Sequence, residues 1–376
     1  MAKGKKKWRY ALGLVALILY IMLTARSIPA ETTIRPRWIS SLESNFPVTL
    51  GDFAITESGA PIPFQVGDRY GYICDDGKFT INQTRRGYIS LSGDFWTEYE
   101  SHPSSVQVMT PQNEMLLEIQ DTHGYPLFLD GRIYIIGEEQ NAITALGPAG
   151  EGLWTHDFPA PVTCIDAAGG YILAGTLDGA IELLSASGAS VFPPFEPGGS
   201  RLSVILGCAI SRDASRLALI SGIDEQRFLL LEQSGDSYKV IYHEFLPNKF
   251  RRPVHICFAD NDGKVVFERE GGLGLYDIGS RSSDSLNLDG RIEVIDNSGG
   301  GKYLFVITAQ GPRQKRFIVI RYPEGAPAML SPRRGIPDHI LVDAPFKSEY
   351  AFFARRDSRF YIGADNSIAS FELESK

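Results

Sequence analysis

A short apolar motif returns along most of this chain at intervals of roughly 45 residues. Each copy consists of an apolar strand, a polar turn and a second apolar strand. The two clearest copies cover 163–175 and 207–220, and weaker copies begin at Ile256 and Val294. Repeats of this length, when they are built from short strands, are typical of a β-propeller with one repeat per blade.

Strand-like runs and tight turns agree with this interpretation. Short runs rich in β-branched and aromatic residues, such as 227–231 and 303–307, favour strands. The pentapeptide Leu-Asp-Gly-Arg-Ile occurs at 129–133 and again at 288–292, which favours repeated units over a β-sandwich. Asp-Gly pairs tolerate the positive φ angles of tight hairpins. They begin at Asp76, Asp130, Asp178, Asp262 and Asp289.

The sequence therefore predicts an all-β fold, a β-propeller of seven four-stranded blades preceded by one N-terminal transmembrane helix. The blade windows are 53–100, 106–159, 160–200, 201–252, 253–290, 291–335 and 336–376. Six or eight blades stay open as alternatives. The outer strand of the last blade is expected either from the C-terminal end or from the N-terminal side, near Trp38 to Leu50. A strand from the N-terminal side would protect a sheet edge and lock the ring.

The N-terminal residues predict a membrane anchor. Residues 1–9 form a basic cytoplasmic segment, and the apolar run that follows predicts a signal-anchor helix over 10–26. Because positive charges stay inside, the linker at 27–50 and the propeller domain at 51–376 are expected outside. In a bacterium this gives a single-pass inner-membrane protein with its C-terminal domain in the periplasm. A cleaved signal peptide is the alternative, although no small-residue cleavage site is well placed.

Charge limits the class of partner. The chain has 376 residues and a net charge of −8, so no nucleic-acid partner is expected. A local basic cluster is formed by Arg313, Lys315 and Arg316. These residues belong either to a solvated hairpin tip or to a patch for an anionic partner.

An aromatic run supplies the second candidate interaction site. It consists of Phe95, Trp96 and Tyr99. Aromatic side chains dominate binding hot spots, so this run either anchors an interface or packs a blade edge.

The reactive residue types show no spacing typical of a catalytic or metal site. Cys164, Cys208 and Cys257 hold equivalent repeat positions on apolar strands, which favours packing over disulfides. No CxxC or HExxH pair and no GxSxG elbow occurs in the sequence. The sequence therefore predicts no cofactor, no metal and no catalytic residue.

Two segments resemble known propeller repeats. The segment 130–154, with Ala145-Leu146, Gly152 and Trp154, resembles the repeat of quinoprotein-type propellers, and 208–218 resembles a WD-repeat strand pair. Some quinoprotein-type propellers are dehydrogenases that hold pyrroloquinoline quinone and calcium, in larger chains with cofactor-stacking groups. Others are non-catalytic envelope scaffolds, and the resemblance here implies this second kind.

The predicted function is that of a membrane-anchored extracytoplasmic scaffold for protein–protein interactions in the cell envelope, with envelope proteins as partners. An alternative is a hydrolase or lyase that acts on glycans or peptides in the central channel. Its candidate residues are the carboxylates at equivalent strand ends, Asp166, Asp213, Asp260 and Asp296. Raised carboxylate pKa values would favour this enzyme. A small-ligand sensor is a third possibility.

Overall fold

The computed structural model describes residues 32–44, 47–49, 59–120, 122–296, 301–322 and 339–375. The regular elements among these residues are all strands. Within the same ranges, no helix has the length and apolar character needed to cross a bilayer. The predicted basic segment at 1–9 and signal-anchor helix at 10–26 lie outside the described residues.

The chain forms two compact units. The smaller unit comprises Met1–Arg35 and Leu373–Lys376, and its described residues include an ion pair between Arg35 and Glu374 at 2.7 Å. The larger unit, Pro36–Glu372, contains β2 to β31 and most of β1 and β32.

The described strands form eight antiparallel sheets, each of which is one blade. Two strands at the N-terminal side come first, β1 (Thr32–Ser41) and β2 (Pro47–Thr49). Blade 1 has the three strands β3 (Ile62–Val66), β4 (Arg69–Ile73) and β5 (Phe79–Thr84). Blade 2 has β6 (Tyr88–Leu91), β7 (Trp96–Tyr99), β8 (Ser105–Met109) and β9 (Met115–Gln120).

The next three blades have four strands each. Blade 3 has β10 (Gly124–Leu129), β11 (Arg132–Gly137), β12 (Ala142–Leu146) and β13 (Gly152–Asp157). Blade 4 has β14 (Val162–Ala168), β15 (Tyr171–Thr176), β16 (Ile181–Leu184) and β17 (Ser190–Phe195). Blade 5 has β18 (Ile205–Ile210), β19 (Arg216–Ser221), β20 (Arg227–Ser234) and β21 (Ser237–Phe245).

The remaining strands complete the set. Blade 6 has β22 (Ile256–Ala259), β23 (Lys264–Arg269), β24 (Gly272–Asp277) and β25 (Ser282–Asn287). Blade 7 has β26 (Arg291–Ile295), β27 (Tyr303–Gly311), β28 (Gln314–Arg321) and β29 (Ile340–Lys347). Blade 8 contains β30 (Ala351–Arg356), β31 (Arg359–Ala364) and β32 (Ser367–Ser375), followed in the sheet by β1 and β2.

The prediction of seven blades is wrong, because the windows 53–100 and 106–159 contain three sheets. Only residues 85–87 separate β5 from β6, and only 121–123 separate β9 from β10. Connections this short are also common between the strands of one hairpin, so the sequence does not distinguish a blade boundary from a turn. The strand at Ile340–Lys347, which the sequence analysis placed in the last blade, is instead the outer strand of blade 7.

Burial explains why the strand sequences differ within one blade. All six residues of β18 are buried, whereas β21 at the outer edge of the same blade alternates between exposed and less exposed positions. Strands that are covered on both faces read as continuous apolar runs, and strands with one solvated face alternate. The repeated motif of the sequence corresponds to the covered first and second strands.

Aromatic side chains fill the spaces between neighbouring blades. Phe228 of blade 5 stacks on Phe267 of blade 6 with ring centroids 4.4 Å apart. Phe305 of blade 7 lies 5.2 Å from Phe353 and 5.3 Å from Phe360, both of blade 8. Such ring pairs add to the free energy gained by burial and hold each blade against the next.

Candidate functional site: the central channel

The first strands of blades 4 and 5 run in the same direction beside a central channel. Near the start of β14, the Thr163 hydroxyl donates to the carbonyl of Ile205, the first residue of β18, over 2.5 Å. Farther along the same two strands, the N–H of Ile210 donates to the Asp166 carboxylate at 2.9 Å. We call the end of the channel at which β14 and β18 begin the mouth, and the opposite end the base.

A polar cavity of about 620 Å³ opens at the mouth between blades 1, 6, 7 and 8, and we call it the cationic cavity. Tyr350 stands at its rim, close to Gly67, where a Cβ atom would lie 3.0 Å from the tyrosine ring. Gly67 also has a φ of 61°, so both the space and the backbone favour glycine there. The ionisable groups of the lining, apart from Tyr350, are Arg85, Arg252, His255, Arg291, Glu293 and Glu349.

Arg252 and His255 form the rigid part of this lining. The Arg252 guanidinium makes a two-point ion pair with the buried carboxylate of Glu268 and lies over the Phe250 ring at 4.7 Å. Burial lowers the pKa of His255, Glu268 opposes this shift, and the positive charges of Arg252 and Arg291 lower the pKa further. His255 is therefore neutral at pH 7 and lines the cavity as an uncharged imidazole.

A second cavity, of about 330 Å³, contains three of the four cysteines, and we call it the thiol cavity. Cys164, Cys208 and Cys257 line it from blades 4, 5 and 6, and all three are free. A hydrogen bond with Cys164 and burial raise the pKa of Cys208, and burial raises that of Cys257 to about 12. Both thiols stay protonated at neutral pH, so they pack as small apolar groups.

The third cavity, of about 430 Å³, is bordered by blades 2, 3 and 4, and we call it the tyrosine cavity. Tyr99 and Tyr125 line it with ring centroids 6.5 Å apart, and Tyr88 stacks on Tyr99 at 5.9 Å. Aliphatic side chains complete much of the wall, among them Leu127 and Val162.

The three cavities are neighbouring parts of one channel. His255 lines both the cationic and the thiol cavity. Thr163, Cys164 and Ile165 line both the thiol and the tyrosine cavity. The channel is thus charged on one side and largely apolar on the other, and three cysteines and a neutral histidine line the part between them.

The carboxylates proposed for an enzyme serve as structural hydrogen-bond acceptors in blades 4 and 5. Asp166 accepts the N–H groups of Ile210 at 2.9 Å and Ala167 at 3.0 Å, which partly offset the rise in its pKa caused by burial. Asp213 closes the turn after β18, where hydrogen bonds, above all from the hydroxyl and N–H of Ser215, lower its pKa to about 2.

The other two proposed carboxylates form ion pairs. Asp260 lies 3.1 Å from the ammonium group of Lys264, and Asp296 lies 3.3 Å from the guanidinium of Arg355. Asp296 and Arg355 belong to blades 7 and 8, so their contact connects two blades at the base of the channel. All four carboxylates are thus engaged within the fold. Burial raises the pKa of Asp166, the direction that a proton-transfer role would require.

Of the three predicted interface aromatics, the structure buries Trp96 and half-buries Phe95. Trp96 is 7% exposed and donates its indole N–H to the Thr110 carbonyl at 3.0 Å. Phe95 packs against Phe128 of blade 3, with ring centroids 5.7 Å apart. Tyr99 alone reaches the channel, as part of the tyrosine cavity.

The three predicted basic residues lie on one hairpin of blade 7, and each has an acidic partner. The pairs are Arg313–Asp365 at 3.1 Å, Lys315–Glu293 at 2.7 Å and Arg316–Asp343 at 2.5 Å. Lys315 is buried, whereas the Arg313 side chain is 67% exposed at the mouth end of the hairpin. The three residues therefore do not form one exposed basic patch.

A set of exposed apolar side chains at the mouth was missed by the sequence analysis. Each lies in a connection or at a strand end on this side of its blade, and we call them the mouth residues. They are Tyr88 (57% exposed), Leu177 (51%), Leu202 (55%), Phe245 (58%) and Tyr350 (50%). In the sequence, such a residue can be recognised as a single apolar residue between turn residues, as in Thr176-Leu177-Asp178-Gly179.

Among the described residues, no group of three or more histidine, cysteine, aspartate or glutamate side chains is arranged to hold a metal ion. The candidate site is a channel with a polar and an apolar side. It opens on a mouth with exposed apolar side chains.

Comparisons with known proteins agree with this architecture. A family model described as beta-propeller protein matches residues 1–376. An uncharacterized protein of Treponema pallidum (strain Nichols) is 27% identical over 377 residues, which cover 99% of this chain and 95% of the relative.

Solved structures extend the comparison. BamB from Moraxella catarrhalis aligns with a TM-score of 0.53 and 12% identity, over 84% of this chain and 99% of BamB. The Dos1 propeller aligns with a TM-score of 0.57 and 11% identity, over 90% and 95% of the two chains. The computationally designed Ika8 protein gives 0.57 and 12%, over 84% and 98%. At these identities the likeness concerns the fold alone.

Proposed function

This chain belongs to a family of β-propeller proteins, and we propose that it is an interaction scaffold of the bacterial cell envelope. In this proposal the N-terminal residues 1–26 anchor it in the inner membrane and the propeller faces the periplasm. The basic-then-apolar order of these residues supports the anchor, and the envelope scaffolds among quinoprotein-type propellers support the role. The partner is another envelope protein.

The mouth residues carry this proposal. Five large apolar side chains at one end of the propeller, each at least half exposed, are costly to leave in water. Exposed apolar groups that cluster on one face and are bordered by charged residues mark protein interaction sites. Arg85 and Arg291 supply such a border at the same mouth.

The rigidity of the scaffold suits this role. Loops that project from packed blades keep their positions when a partner binds, so little conformational entropy is lost on docking. Tyr88 is held by its stack on Tyr99, and Phe245 lies 5.7 Å from the guanidinium of Arg227. These contacts orient two exposed rings toward the partner.

Affinity purification tests the proposal. The full-length protein is extracted from its native membrane in mild detergent, and co-purifying proteins are quantified. We expect a stoichiometric envelope protein with the wild type, and at least a tenfold loss of that protein with Leu177→Ser/Leu202→Ser.

The matched control is Met115→Ser/Leu116→Ser. It removes two equally exposed apolar side chains from the outer hairpin of blade 2, at the base end. Retention of the partner by the mouth variant, or equal loss from both variants, would show that the mouth is not the docking face.

A further inference from the structure

Arg291 lines the cationic cavity, and its acidic neighbour Glu293 lies closer to another cation, Lys315. Glu293 lies 2.7 Å from the ammonium group of Lys315 and 3.6 Å from the guanidinium of Arg291. The Lys315 side chain is 3% exposed, and that of Arg291 is 65% exposed. The buried lysine therefore neutralises Glu293, and the charge of Arg291 remains directed to the solvent of the cavity.

Arg85, from blade 1, provides a second such charge in the same lining. It follows β5 in blade 1, is exposed, and has its backbone N–H fixed to the Asp68 carbonyl at 2.7 Å. Among the ion pairs between residues that the structure describes, none involves Arg85. Two guanidinium groups, from blades 1 and 7, thus line one cavity, and the carboxylate nearest to Arg291 is shared with the closer Lys315.

Part of the remaining charge of the lining is neutralised by buried partners. Arg252 is held by Glu268 in a two-point ion pair, and Glu293 is held by Lys315. Glu349 stands beside the exposed Tyr350 and raises the pKa of its hydroxyl. The charges left in the cavity are then two arginines, Arg85 and Arg291, against the one carboxylate of Glu349. Neutral His255 adds a hydrogen-bonding group without charge at the inner end.

These features select an anionic ligand. Planar guanidinium groups bind carboxylate and phosphate through two parallel hydrogen bonds. A volume of about 620 Å³ falls within the range of small-molecule sites.

We propose that the cationic cavity binds a small organic anion that carries carboxylate or phosphate groups, held between Arg85 and Arg291. This binding is a separate function, which does not require that a protein docks at the mouth.

The test uses the full-length protein in neutral detergent, with citrate and inorganic pyrophosphate as probes at constant ionic strength. Isothermal titration and thermal unfolding are followed for each probe. We expect one probe or both to bind with a stoichiometry of one and to raise Tm. Binding of citrate alone indicates a carboxylate ligand, and binding of pyrophosphate alone indicates a phosphate ligand.

Variants decide whether binding occurs in the cavity. Arg85→Gln/Arg291→Gln is expected to weaken binding at least tenfold. Arg313→Gln removes another exposed arginine at the mouth, outside the cavity, and is expected to bind as the wild type does. If the double variant unfolds, Arg85→Lys/Arg291→Lys can replace it. This variant keeps both positive charges but lacks the planar guanidinium groups, so we expect it to bind the probes more weakly than the wild type. Failure of both probes to bind in the millimolar range, or equal weakening by Arg313→Gln, would overturn the proposal.

Discussion

The hydroxyl of Tyr361 donates a hydrogen bond to the carboxylate of Asp75 over 2.7 Å, although 286 positions separate these residues in the chain. The same carboxylate lies 3.2 Å from the guanidinium groups of Arg356 and Arg359. Asp75 belongs to blade 1, and its three partners belong to blade 8. Nearby, the Trp38 indole donates to the Asp75 carbonyl at 2.8 Å. One aspartate thus joins the last blade to the first.

The contacts of Asp75 allow a prediction of how much the junction between blades 8 and 1 stabilises the fold. Tyr361→Phe keeps the buried ring beside Trp38 and removes only the hydroxyl, so we expect a loss of about 1 to 2 kcal/mol in the free energy of unfolding. Asp75→Ala leaves two arginines and a buried hydroxyl without their acceptor, so we expect about 3 to 5 kcal/mol. Chemical denaturation of both single variants and the double variant measures the two effects and their coupling. Additive losses would show that the two side chains do not act together.

Two adjacent glycines in blade 6 provide a sharp test of backbone geometry. A Cβ atom on Gly272 would lie 2.0 Å from the Leu286 carbonyl oxygen, whereas one on Gly271 would meet nothing within 4 Å. Both residues have positive φ, of 152° and 80° respectively. We expect Gly271→Ala to cost about 1 to 2 kcal/mol. Gly272→Ala should cost more than about 3 kcal/mol, because β24 and β25 must separate. Equal melting temperatures would contradict the pairing of these strands.

The buried thiol of Cys257 predicts a loss of stability in alkali. Burial raises its pKa in the folded protein from the ordinary 9.0 to about 12. Above about pH 9 the unfolded chain therefore releases a proton that the folded chain retains, and the free energy of unfolding falls as the pH rises toward 12. Below pH 9 this group has no effect. Denaturation of the wild type and Cys257→Ala between pH 8 and pH 10.5 should show a steeper decline in the wild type, and parallel declines would contradict the burial of this thiol.

The proposed anchor predicts how the chain fractionates. Full-length protein should remain in the membrane pellet after alkaline carbonate extraction, and its N-terminal peptide should be recovered intact by mass spectrometry. A chain that begins at Thr32 should move to the soluble fraction. Recovery of a mature protein that lacks the first 30 or so residues would favour the cleaved signal peptide instead.

The repeat motif identified the propeller architecture because it records the two covered strands of each blade. Blades 4 and 5 have longer, largely apolar first and second strands, such as 205–210 and 216–221, and the sequence marks them clearly. Blades 1 and 2 have shorter and more polar strands, such as Tyr88–Leu91, and their three-residue connections resemble hairpin turns. For this reason the sequence did not show that residues 62–157 form three blades rather than two.

The site was harder to predict because exposure depends on neighbours far along the chain. Nothing local distinguishes Trp96, which the interior covers, from Phe245, which the mouth exposes. Likewise, Glu293 lies closer to Lys315 than to Arg291 because of the register of two neighbouring strands, which the sequence does not give. The thiols were more predictable, since their equivalent repeat positions already indicated packing.

We propose that the protein docks a partner at its mouth. Site-specific photocrosslinking in the native membrane can identify the docking face without disrupting the complex. A benzophenone amino acid is placed at Leu202 or Phe245 at the mouth, and at Met115 or Leu153 away from it, where exposure is similar. We expect both mouth positions to form adducts with one envelope protein, and the other two positions to form none. Adducts from Met115 or Leu153 but not from the mouth would contradict it.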